Sequence, residues 1–115
     1  MVNIERISRL IKERSELELN DPVVSKYWDA MTECLSINEL ETINYLLTCT
    51  EEELYWLSEV FDDISYRLQS HKFIECIEIL DKRYPNADLS VDVKSARELL
   101  NNNIDNEYYT DLIEE

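Results

Sequence analysis

The sequence predicts an all-α fold: a single domain, residues 1–115, built as a bundle of about six antiparallel helices, with stacked helical hairpins as a repeat-like variant of the same packing. Three observations lead there. Apolar residues recur every three to four positions along most of the chain, and no useful stretch alternates with period two. The 115 residues include no glycine, the residue that tight hairpin turns and positive-φ backbone favour. Asn, Asp and Ser stand where the apolar pattern breaks, and these side chains cap helices.

The elements follow in order. Residues 3–19 place Ile4, Ile7, Leu10, Ile11 and Leu17 on one face, with Arg and Glu between them. Asn20, Asp21 and Pro22 end this helix and begin the next, Asp21 as N-cap and Pro22 in the first turn. Val24, Trp28, Met31 and Leu35 form the second stripe. Ser36 followed by Glu39 reads as a capping box for a third helix whose Leu40, Ile43, Leu46 and Leu47 face inward. Thr50 and Glu53 make a second box, opening a fourth helix that runs unbroken to about Leu68 on a stripe of Leu54, Leu57, Phe61, Ile64 and Leu68. Ser70 caps a fifth, carrying Phe73, Ile74, Ile77, Leu80 and Tyr84. Residues 85–88 are a loop. A sixth helix begins near Ser90, buries Val93, Ala96, Leu99 and Leu100, and ends at Asn101–Asn103. Residues 103–115 are either a loose end or carry one more short helix over 106–113. Helices joined by two to four residues are expected to pack as antiparallel neighbours.

The formal net charge is −15, and it is unevenly placed. Between Lys26 and Arg67 there is no basic residue, yet there are ten acids: Asp29, Glu33, Glu39, Glu41, Glu51, Glu52, Glu53, Glu59, Asp62 and Asp63. Such a field repels phosphate, which argues against nucleic acid as a ligand. It attracts basic proteins and speeds their encounter. The same charge also serves simply as a solubilising surface. The three cysteines, 34, 49 and 76, lie among apolar neighbours outside metal-ligand spacing and read as reduced, buried thiols. No signal peptide and no membrane span is evident, so the expected location is the cytoplasm, with no membrane partner.

Catalytic parts are scarce. The absence of glycine removes every Gly-rich phosphate loop. The sole histidine, His71, opens the fifth helix with no local nucleophile pattern around it. The EF-hand loop and the Glu-x-x-His motif of di-metal bundles are both missing. The expectation is a binding protein and no enzyme, without catalytic residues, metal or cofactor.

The candidate surface lies on the fourth helix. Beside its core stripe stand Glu52, Tyr55, Trp56, Glu59, Asp62, Asp63 and Tyr66. Tyr55, Glu59, Asp62 and Tyr66 are spaced four, three, four and fall on one line; Glu52, Trp56, Glu59 and Asp63 fall on the next. Aromatic residues dominate interface hot spots, and carboxylates pair with a partner's Arg and Lys. Trp28 and Trp56 each fit either the core or a contact. Glu107, Tyr108, Tyr109, Asp111, Glu114 and Glu115 repeat this chemistry at the C-terminus.

The stretch Trp56-Leu-Ser-Glu59-Val-Phe-Asp62-Asp63-Ile64 resembles a helix midway along small acidic immunity proteins of bacterial polymorphic toxin systems, including those of contact-dependent growth inhibition. The resemblance spans residues 36–84, with Trp56, Glu59, Asp62 and Asp63 at the matching positions. It implies a cytoplasmic protein that binds and neutralises a cognate toxin domain, often a nuclease. Two other readings suit the same charge: a helical adaptor for a basic peptide or regulatory partner, and an inhibitor that mimics nucleic acid.

Overall fold

Asn3 starts the first helix, α1 (Ile4–Ser15), by accepting the Arg6 N–H at 3.0 Å. Lys12 and Arg14 suit its C-terminal dipole. The helix stops at Ser15, short of residue 19. The Ser15 hydroxyl donates to the Lys12 carbonyl, and the N–H groups of Glu16 and Leu17 fold back onto Glu13 and Arg14. The computed structural model describes residues 1–104, with side chains through Leu100. The expected 106–113 segment and the acidic run from Glu107 to Glu115 lie outside the described residues.

Helix α2 (Val24–Leu35) begins two residues later than expected. Asp21 does not cap it; its carboxylate accepts the Val23 N–H at 2.9 Å and closes a turn around Pro22. Helix α3 (Glu39–Thr48) is capped by Asn38, which accepts the Glu41 N–H, and not by Ser36. Ser36 instead closes α2.

The rotation of α3 also differs from expectation. Thr42, Tyr45, Leu46 and Cys49 point inward, whereas Leu40 is 64% and Leu47 40% exposed. The physical reason is a helix end. The Leu35 carbonyl at the close of α2 needs a donor, and the buried Thr42 hydroxyl supplies it at 2.7 Å. This turns the Thr42–Tyr45–Leu46–Cys49 face to the core.

Thr50 and Glu53 form the expected capping box of α4 (Glu51–Leu57). The rod is interrupted where an unbroken helix was expected. A 3₁₀ turn at Ser58–Val60 separates α4 from α5 (Phe61–Leu68). The tightened turn carries Val60 fully into the core alongside Leu54, Leu57, Phe61 and Ile64. Ser70 caps α6 (His71–Arg83), and a 3₁₀ turn at Pro85–Ala87 leads to α7 (Ser90–Ile104), which continues through the asparagines expected to end it. Counting α4 and α5 as one rod, the described residues form an all-helical bundle of six rods with no strand.

With no glycine available, Gln69 and Asp88 adopt the left-handed conformation at the ends of α5 and the second 3₁₀ turn. Asp tolerates that region; Gln69 is held there because its amide donates to the Tyr66 carbonyl at 2.9 Å. Packing does not follow the chain order throughout. α1 lies on α2 and α4, and α5 and α6 lie on α7, but α3 packs more extensively on α6 than on its sequence neighbours. Phe61 meets Phe73 edge to face at 6.1 Å, and the buried Ser65 hydroxyl donates to the Ala96 carbonyl. Cys34, Cys49 and Cys76 are free and buried. Burial first of all pushes the Cys49 thiol up to about 12 and the Cys76 thiol up to about 11, which leaves them unreactive. No helix among the described residues is long and apolar enough to cross a membrane.

Candidate functional site

The α4–α5 rod divides the seven predicted residues into two groups. Its capping box and the three glutamates of its first turn fix where the helix starts. The 3₁₀ turn then rotates Glu59 away from the outer line and toward α1 and α2.

Glu59 and Trp56 belong to an internal cluster. Arg14 on α1 is only 2% exposed, although it is charged. Its guanidinium donates to both Glu59 carboxylate oxygens, Nε and Nη2 each at 2.8 Å, and to the Leu17 carbonyl at 3.1 Å. The Trp28 indole N–H donates to the same carboxylate at 2.9 Å. The Trp56 ring lies 4.9 Å from the guanidinium carbon. Both tryptophans are partly buried and pack against the core. A buried cation needs such pairing, because stripping it of water costs several kcal/mol on its own. The cluster ties α1, α2 and the 3₁₀ turn together.

Of the other five, Glu52, Tyr55, Asp63 and Tyr66 are exposed and Asp62 is partly so. Tyr55 is half exposed and sets its ring edge-on to Trp56, centroids 4.9 Å apart. Glu52 is exposed on a shallow groove between α1 and α4, beside Lys12 and Ser15. Asp62 is partly exposed and accepts the Asp63 N–H. Asp63 and Tyr66 are exposed at i and i+3 on α5. The expected continuous line through Tyr55, Glu59, Asp62 and Tyr66 is therefore broken at Glu59.

Three residues join this region that the sequence reading did not single out. Arg14 carried a usable signal: with Ile7, Leu10 and Ile11 it completes an i, i+3, i+4, i+7 stripe, a cation on an apolar face. Asp92, on α7, is drawn in by tertiary packing alone. Its carboxyl is held above the ordinary value, chiefly by burial and secondarily by Asp62 and Glu59, against a lowering contact with Ser58. Asp63 is likewise raised, first by burial, then by Asp62 and Asp29, with Arg67 opposing. Thr32, on α2, is 2% exposed and lines a groove with Asp29, Asp63, Tyr66 and Arg67.

Chemically, these residues form a cation-accepting surface. No group of three or more His, Cys, Asp or Glu side chains among the described residues is arranged to hold a metal ion. His71 is exposed at the first position of α6. Comparison of the chain with protein-family models, with curated proteins and with solved structures finds no match.

Proposed function

We propose that this chain is an immunity-type inhibitor, which binds a cognate toxin domain through the outer surface of α4 and α5 and keeps it from its substrate. The partner is basic, a nuclease by preference, since a nuclease needs a cationic groove for its phosphate backbone. On the resemblance described above, this binding takes place in the cytoplasm. The observation that carries the proposal is the outward set Glu52, Tyr55, Asp62, Asp63 and Tyr66, on a rod inside a window, 27–66, that holds no basic residue. Carboxylates interleaved with rigid aromatic side chains offer both charge pairing and desolvated anchors. Trp56 and Glu59 support that surface from behind by fixing the rod onto α1.

Co-expression with a candidate toxin is the direct test, and growth rescue is the expected result. At the level of binding, Asp62→Lys combined with Asp63→Lys is expected to slow association about tenfold or more at low salt, because steering is reversed. Unchanged association in stopped flow would remove this surface from the proposal. A helical scaffold for a basic peptide would use the same surface, but it would give no rescue.

A further inference from the structure

The groove between α2 and α5 contains an uncommon combination. Asp29 and Thr32 stand one turn apart on α2; Asp63 and Tyr66 stand one turn apart on α5. The two helices pack together, enclosing a space of about 240 Å³. The Thr32 hydroxyl is buried and has no hydrogen-bond partner among the described residues. Leaving such a group unpaired costs about 1–3 kcal/mol, and a ligand recovers that where the groove widens enough to uncover the hydroxyl. Asp29 and Asp63 both line the opening, and Asp29 adds to the rise that burial and Asp62 impose on Asp63, with Arg67, also on the lining, opposing it. Arg67 makes no ion pair within 4.0 Å among the described residues.

We infer that this groove is a socket for one arginine side chain of the protein partner, with Asp29 and Asp63 accepting the guanidinium, Thr32 at its floor and Tyr66 against its plane. The inference rests on the proposal that the partner is a basic protein, and it narrows the docking point to a single pocket. Guanidinium suits it better than ammonium. A planar fork with five donors can reach acceptors on two helices at once and stack on a tyrosine ring, whereas ammonium is a compact, strongly hydrated point charge. Arg67 is the resident competitor: a second cation beside the socket lowers the gain from any incoming one.

The test uses the full chain and N-acetyl-arginine amide as probe, followed by NMR at about 20 mM salt, where surface charge is weakly screened. Shifts are expected to concentrate on residues 29–32 and 63–67 and to saturate. Asp29→Asn with Asp63→Asn is expected to weaken the probe about tenfold, and Thr32→Val to weaken it about threefold. Arg67→Ala is expected to tighten it, an outcome that non-specific attraction to an acidic surface also permits only if the shifts are spread over the whole molecule. Circular dichroism confirms that each variant folds. Shifts spread evenly over the acidic surface, an N-acetyl-lysine amide that binds as tightly, or a double Asn variant that binds unchanged would each overturn the socket. The two proposals fail separately. Localised, saturable shifts without growth rescue by any toxin would leave the socket standing and remove the immunity reading; full rescue by the double Asn variant would do the reverse.

Discussion

Arg14 shows how one residue can organise three helices. It is a cation almost sealed from water, and three of its N–H groups meet oxygens of Glu59 or Leu17. Glu59→Ala leaves that charge buried and unpaired, and is expected to cost about 3 kcal/mol of stability. Urea unfolding followed by circular dichroism measures it; a loss below about 1 kcal/mol would mean that water replaces the carboxylate freely. At this scale the sequence was only partly legible. Core residues such as Leu54, Leu57, Phe61 and Ile64 were readable from spacing alone, because burial follows the helical period. Glu59 was not. A carboxylate in an acidic window looks solvent-facing until its partner, 45 positions earlier, is known to be near. Thr32 was invisible for a related reason: a threonine on a helix says nothing of whether its hydroxyl finds an acceptor.

Some helix starts were legible, and the face of α3 was not. Thr50 and Ser70 cap as expected, because capping is local chemistry within four residues. The Ser36 box failed since Asn38 offered a competing cap two residues on, and the α3 face was set by Thr42 reaching the Leu35 carbonyl, a contact between helices. The break at Ser58–Val60 left no trace in the apolar spacing, which fits an unbroken helix equally well. Gln69 is the element-scale oddity, a bulky residue in left-handed backbone (φ 48°) that also covers the last carbonyls of α5. Gln69→Ala keeps the backbone penalty and loses the covering bonds, whereas Gln69→Gly removes the penalty. The glycine variant is expected to be the more stable of the two by about 1 kcal/mol, read as the difference in urea midpoint at equal slope.

At the scale of the whole molecule, fold class was legible and topology was not. The period of the pattern and the missing glycines point to helices; nothing in either says that α3 docks on α6. The net charge of −15 predicts how the fold responds to solution conditions. Folding partly buries Asp63 and Asp92 and also sets other carboxylates beside them, and both titrate above their ordinary value of 3.8. The native state therefore binds protons at a higher pH than the unfolded state. Their destabilising effect is fully present at neutral pH and is relieved as pH falls through the raised values toward 3.8. The thermal midpoint is expected to rise as pH falls from neutrality through these raised values. Added salt is expected to raise it too, by roughly 4 °C between about 20 and 300 mM, as self-repulsion is screened. Calorimetry across both series checks this; a midpoint that falls with salt would mean that attraction between charges outweighs repulsion.

The Arg14–Glu59 tie also constrains the order in which the chain can mature during synthesis. The first helix leaves the ribosome with its cation facing the side it will later bury, and the carboxylate that receives it is made 45 residues afterwards. Until then the apolar face of α1 carries a cation whose carboxylate partner is missing, and burying it so costs several kcal/mol. The carboxylate of the acidic rod is therefore expected to be needed before that face of α1 buries at full stability.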